Sequence, residues 1–170
     1  AYHESGHAIV AESLEGTDPV HKVTIIPRGG AGGFMMPLPD EKLVTTSREL
    51  IAEIQVLFGG RAAEELVLDD VSTGAYSDIK RATQVARTYI EKVGMNENIG
   101  PVNVENGDGY SVSSRSSETV REIELEIRKL LKKQYQKVLE LLNNNRDKLD
   151  GIAGLLLEKE TITGEEVRNI

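Results

Sequence analysis

Two residues into the chain, His3-Glu4-Ser5-Gly6-His7 sets two imidazoles and a carboxylate at the spacing a helical zinc peptidase needs. On an α-helix, residues four apart lie one turn above each other on the same face, so the His3 and His7 rings can converge on one ion. Glu4 falls beside them, placed to take a proton from a metal-bound water rather than to bind the metal. Zinc with three protein ligands keeps a fourth position for water and lowers that water's pKa to about 7. The same ion can polarise a peptide carbonyl. Gly6 adds to the pattern, because a glycine inside a helix costs about 1 kcal/mol relative to alanine and needs a reason. Close approach of a neighbouring backbone would supply one.

Two imidazoles do not hold catalytic zinc, so a third donor must come from elsewhere, and a carboxylate is the natural type. His21 is the only other imidazole, and it reads as an ordinary surface residue at a strand start. The carboxylates to weigh are Glu64 and Glu65, in Gly60-Arg61-Ala62-Ala63-Glu64-Glu65, and Asp78, in Thr73-Gly74-Ala75-Tyr76-Ser77-Asp78. Asp78 lies one turn before Ala82 and two before Val85, at the edge of an apolar stripe. An acid there is either a first-turn charge favoured by the helix dipole or a group held inward by a cation. Spacing alone leaves Asp78 and Glu64 level.

The elements that must position these groups are mostly helical. Ala8, Ile9, Ala11 and Leu14 continue the metal helix to about Gly16, ahead of an Asp18-Pro19 turn. Lys22 to Gly29 is β-branched and ends in Pro-Arg-Gly-Gly, a strand signature, and Phe34-Met35-Met36 reads as a returning strand ended by Pro37 and Pro39. Thr46-Ser47-Arg48-Glu49 is a capping box, followed by Leu50, Ile51, Ile54, Leu57, Phe58, Ala62 and Leu66 at helical period, with Gly59-Gly60 suggesting close packing. A loop from Asp69 to Gly74 leads to a helix carrying Ile79, Ala82, Val85, Ala86, Tyr89 and Ile90, stopped near Gly94. After an irregular, glycine-containing segment, a long helix runs from about Ser116 to Asn143-Asn144-Asn145, then another from about Arg146 to Glu158 and a short one after Thr163.

At 170 residues and 39% apolar content the chain can bury a proper core, and with few aromatics that core must be aliphatic. The formal net charge of −8, with no basic stripe, opposes nucleic-acid binding, and no nucleic-acid partner is expected. Cysteine is absent, so there is no disulfide framework or thiolate zinc site, and any metal must use histidine and carboxylates. No stretch approaches the roughly 20 apolar residues of a membrane span, so the chain itself reads as soluble. It begins inside its own metal helix without an N-cap, and is expected to be a piece of a longer protein.

In order along the chain, His3 to His7, Ile25-Ile26-Pro27-Arg28-Gly29, Gly59 to Glu65, and Ser72-Thr73-Gly74-Ala75 with Asp78 resemble the peptidase domain of the FtsH family of ATP-dependent, membrane-anchored zinc proteases. The resemblance runs from Ala1 to the Thr161-to-Glu166 tail. It implies a mainly α fold: a helical zinc-peptidase domain with a small β-hairpin or sheet near the metal helix and a long C-terminal helical hairpin. One domain spans 1–170, divided into a metal-site core with an edge strand (1–98), an irregular loop (99–115) and a C-terminal helical part (116–170).

The resemblance also implies the site: zinc, one per chain, on His3, His7 and Asp78, Glu4 as general base, and Glu64 hydrogen-bonded around a ligating histidine. It implies an upstream transmembrane segment and ATPase module, with ATP acting only through that module. A homo-hexamer would degrade unfolded or membrane polypeptides at the cytoplasmic face of the bacterial inner membrane, or at an organellar membrane. Thr24, Ile25 and Ile26 are expected to hold extended substrate by edge addition. The competing readings are a ring-forming assembly module with a non-catalytic metal helix, and a zinc hydrolase of a non-peptide substrate.

Overall fold

A computed structural model describes residues 1–27, 32–38, 44–105 and 116–170. The architecture is mainly α, with a three-stranded antiparallel sheet beside the first helix. In chain order the elements are α1 (Tyr2–Ser13), β1 (Val20–Thr24), β2 (Phe34–Pro37), α2 (Ser47–Leu68), a 3-10 turn (Thr73–Ala75) and α3 (Tyr76–Arg87). A π-helical turn (Thr88–Lys92), α4 (Ser117–Asn144), α5 (Arg146–Lys159), β3 (Thr161–Thr163) and α6 (Gly164–Arg168) follow.

Local chemistry starts most of these helices where the sequence expects. Thr46 caps α2 through its hydroxyl while Glu49 reaches back to the Thr46 N–H at 2.7 Å, a complete capping box that satisfies two otherwise unpaired amides. Thr163 and Glu166 repeat the device on α6, and Ser116 caps α4. The helix expected to run to Gly94 is α-helical only to Arg87; it widens into the π turn, and the chain then reverses at Gly94 with φ +59°.

The core is aliphatic, as composition requires. Ile54, Ile90, Ile123, Leu142, Leu149 and Leu156 are among its largest fully buried side chains, and Phe58 is its one aromatic member among the described residues, set edge-on to Tyr135 at 5.3 Å. α2 runs through the middle, packed by α1, α3 and α4, while α5 closes on α1. Burial of this kind contributes about 25 cal/mol per Å² of apolar surface, which makes α2 the element the other helices depend on. Gln55 and Gln134 are buried inside it and satisfy each other, with Gln55 Nε2 donating to Gln134 Oε1 at 2.8 Å.

α1 lies directly on α2, backbone to backbone. A methyl group on Gly6 would overlap the Gly59 carbonyl and the Ala63 side chain, and one on Gly59 would come within 2.6 Å of the Gly6 carbonyl oxygen. Those two glycines are therefore the contact, the reason the sequence demanded for Gly6.

The sheet corrects one expectation. Its order is β2-β1-β3, so β1 is the central strand and not an edge. Lys22, Val23 and Thr24 pair with Met36, Met35 and Phe34 on one side and with Thr163, Ile162 and Thr161 on the other. Past the strand, Ile25 N donates to the Glu160 carbonyl at 2.9 Å. The partner on that side is β3, whose three residues are too few to show alternation in a sequence; it forms because Glu160 ends α5 in the left-handed region and turns the chain back onto β1. The strand itself is shorter than expected, and the Arg28-Gly29 part of that expectation lies outside the described residues, as do Pro39 and residues 106–115 of the expected loop.

Alanine at Gly59 should lower stability by roughly 1–3 kcal/mol, the ordinary cost of overpacking. Alanine at Gly154, which sits inside α5 with nothing within 4 Å of the new methyl, should instead raise it by about 0.5–1 kcal/mol. Thermal unfolding, at about 2–4 °C per kcal/mol for a chain of this size, reads both signs, and a stabilising Gly59→Ala would contradict the packing.

Candidate metal centre

α1 presents His3 and His7 one turn apart on the face that meets α2. Their Nε2 atoms face each other at 3.1 Å, with the rings 4.8 Å apart and nearly perpendicular. What aims them is the acceptor at the far side of each ring. His7 Nδ1 lies 2.7 Å from the Val56 carbonyl oxygen, which can only accept, so that nitrogen carries the hydrogen. His3 Nδ1 lies 2.9 Å from Glu64 Oε1 and donates to it in the same way. Both acceptors come from α2, and in a neutral ring each leaves Nε2 as a bare lone pair.

Asp78 completes the group from the first turn of α3. Its Oδ2 is 3.3 Å from His3 Nε2 and 3.6 Å from His7 Nε2. Three ligand atoms lie within 4.8 Å of one another, on partly to fully buried side chains. Donors bound at about 2.0–2.1 Å in a tetrahedron sit about 3.3 Å apart, which is the separation found here. The donor set of two imidazoles and a carboxylate also suits zinc, and three protein ligands leave a position open. The residues fit the ion.

Electrostatics agree. Burial works to raise the Asp78 pKa, but the His3 and His7 rings, which donate to it from Nε2 only when that nitrogen is protonated, outweigh burial and hold the carboxyl well below the usual range. Burial likewise opposes charge on His3, yet its bonds to Asp78 and Glu64 prevail and raise its pKa. The cluster stabilises positive charge at its centre, whether a proton on His3 or a metal cation. Glu64, buried on α2, is held below its ordinary value: burial pushes up, and the Ser72 N–H, the His3 ring and the Ser72 hydroxyl pull down further.

Glu4 stands apart from the three. Burial raises its pKa, partly offset by the two histidines, so it holds a proton more readily than a free carboxylate does. Gly33, just ahead of β2, passes over it so closely that a methyl there would come within 3.0 Å of Glu4 Cγ and 2.7 Å of the Thr24 carbonyl oxygen. Gly60 does the same beneath the ligands, where a methyl would fall 2.5 Å from His3 Nε2. A side chain at Gly33 would displace Glu4 or the Thr24 carbonyl, and one at Gly60 the His3 ring.

The structure thus separates two carboxylates that spacing left level: Asp78 joins the Nε2 cluster, and Glu64 takes the opposite nitrogen of His3. His21 is exposed on β1 and outside the cluster, and Glu65 accepts from the Tyr135 hydroxyl at 2.5 Å. Thr24 and Ile25 are engaged with the β3 side, Thr24 through its hydroxyl to the Glu160 carbonyl and Thr161, and Ile26 lies beyond the strand with 45% exposure. Sequence reasoning missed the Val56 carbonyl, a backbone group that leaves no residue-type signal. It also missed the bonding of Ser72, which it placed only in the loop ahead of the third helix.

Residues 1–170 match the sequence profile of peptidase family M41. The chain is 67% identical, over its whole length, to a protein of Leptotrichia buccalis called ATP-dependent zinc metalloprotease FtsH, and covers 22% of it. Proteins of the same name from Streptobacillus moniliformis and Thermus thermophilus are 59% and 46% identical, over 99% and 100% of this chain and 25% and 28% of their own length. The chain spans about a quarter of the length of these relatives. With a profile match from end to end and a cluster of two histidines and an aspartate around the opening motif, the chain belongs to peptidase family M41.

Proposed function

We propose that this chain is the zinc endopeptidase part of an ATP-dependent, membrane-anchored protease that degrades unfolded and membrane proteins. The observation that carries it is the meeting of His3 Nε2, His7 Nε2 and Asp78 Oδ2, with both Nδ1 atoms pinned to α2. His3, His7 and Asp78 hold the ion, one per chain, and Glu64 and the Val56 carbonyl keep the two rings in the metal-binding tautomer. Zinc held by these residues would supply a Lewis acid and would lower the pKa of water near it to about 7. Glu4 takes the proton from the attacking water and delivers it to the amide nitrogen that leaves. Its burial-raised proton affinity suits a carboxylate that must hold a proton between those two moments.

Peptide enters along the sheet. β1 is enclosed, which leaves the outer sides of β2 and β3 as the sheet's edges among the described residues, and of the two it is β2 whose approach at Gly33 crosses Glu4. An extended polypeptide added there is held by main-chain bonds and read only weakly for sequence, which suits unfolded substrates. In this reading the remaining three quarters of such a protein supply the ATPase motor and the membrane anchor. The assembled enzyme is a homo-hexamer at the cytoplasmic face of the inner membrane, consistent with the bacterial relatives.

Glu4→Gln in the full-length protein should keep about one zinc per chain while casein cleavage falls by about 10²–10⁴-fold, the usual worth of a general base. Undiminished cleavage would remove Glu4 from the mechanism, and a wild-type chain that assembles, loads zinc and never cleaves would be an assembly module instead. Asp78→Ala should lose zinc outright, whereas Glu64→Ala should weaken binding by about 10–100-fold. Atomic absorption after dialysis against a chelator ranks the two, and the reverse order would exchange their roles. Because the imidazoles bind metal only when deprotonated at Nε2, and the surroundings of His3 raise its proton affinity, zinc retention should fall as the pH is lowered and protons compete for that ring. Retention unchanged down to pH 4 would argue that histidine is not a ligand.

A further inference from the structure

Glu64 is itself held, and the group holding it belongs to the turn that delivers Asp78. The Ser72 hydroxyl donates to Glu64 Oε1 at 3.2 Å and the Ser72 N–H donates to Glu64 Oε2 at 3.0 Å. Glu64 Oε1 is the same atom that receives the His3 Nδ1–H. The Ser72 hydroxyl also accepts from Gly74 N at 3.1 Å, capping the 3-10 turn Thr73–Ala75 from which α3, and so Asp78 in its first turn, begins.

The geometry points to Ser72 as a positioning residue for the metal centre, its hydroxyl coupling the carboxylate that orients His3 to the turn that places Asp78. The inference rests on the proposed metal centre. Ser72 touches neither the ligand atoms nor Glu4. It fixes the Glu64 carboxylate on two sides, so that Oε1 points at His3 and the ring keeps its hydrogen on Nδ1. Without the hydroxyl, one bond to Glu64 and the cap of the turn go together, and two of the three donors lose their reference to each other. A helix cap alone would stabilise the fold to the same extent with or without metal. A positioning group instead acts on the difference between the two states, because an ion binds more tightly to donors already in place.

The test compares zinc affinity, by competition with a chromophoric chelator, and the rise in unfolding temperature that zinc produces, in the full-length protein. Ser72→Ala should weaken zinc about tenfold, the lower end of the range for groups that support a ligand, and should shrink the zinc-induced rise. Ser72→Thr, which keeps the hydroxyl and the capping ability, should restore both. In a Glu64→Ala background, Ser72→Ala should cost zinc affinity less than it does alone, since part of its effect passes through Glu64. Equal lowering of the zinc-free and zinc-loaded unfolding temperatures, with affinity unchanged, would reduce Ser72 to a structural cap and overturn the inference. His3→Ala serves as the control: if it loses zinc while Ser72→Ala does not, the Ser72 assignment alone fails. If His3→Ala keeps wild-type affinity, the metal centre itself is wrong and the inference falls with it.

Discussion

The site depends on the distance at which α1 crosses α2. Gly6 and Gly59 let the two backbones touch, and Gly60 leaves room for the His3 ring. Only at that distance can α2 supply an acceptor to both histidines. His3 reaches Glu64 and His7 reaches Val56, so as the chain ascends in α1 it descends in α2, and the helices cross antiparallel with the glycines between the two anchor points. An imidazole can rotate and can carry its proton on either nitrogen. Binding each Nδ1–H to a rigid neighbour removes both freedoms before any ion arrives, which lowers the ordering cost of binding it.

The third donor comes from a different direction and needs a different device. α3 is separated from α2 by a short loop and a 3-10 turn, and a carboxylate at its start would ordinarily point to water. Here Asp78 is half-buried with Oδ2 facing both rings, at a desolvation cost that the two imidazoles offset. In a chain with a formal charge of −8, the carboxylates Glu4, Glu64 and Asp78 gather around two imidazoles. That surplus of negative charge favours a divalent cation over any neutral ligand.

Much of this was legible in the residues. The i, i+4 histidines, the capping boxes and the apolar stripes report strictly local physics, and α1, α2, α4 and α5 formed where their periods placed them. What escaped detection is non-local or made of backbone. Spacing could not rank Asp78 against Glu64, because the ranking depends on which face of His3 each meets after α2 and α3 have packed. The Val56 carbonyl belongs to no residue type. β1 was read as an edge because its cover, Thr161 to Thr163, is too short to carry a strand signature and lies at the other end of the chain. The folded structure supplied these points, each by showing contacts between distant segments.

The pairing of β1 with β3 joins residues 137 positions apart, Thr24 with Thr161, across nearly the whole chain. During synthesis the metal helix and β1 leave the ribosome long before their last neighbour exists. Until that neighbour arrives, β1 exposes a row of unpaired amides and carbonyls, the kind of surface on which wrong partners add. Long-range closure of this sort is also slow. A nascent chain therefore completes this sheet only once residues 161–163 have been made, and a chain interrupted anywhere before them would leave that side of β1 unpaired.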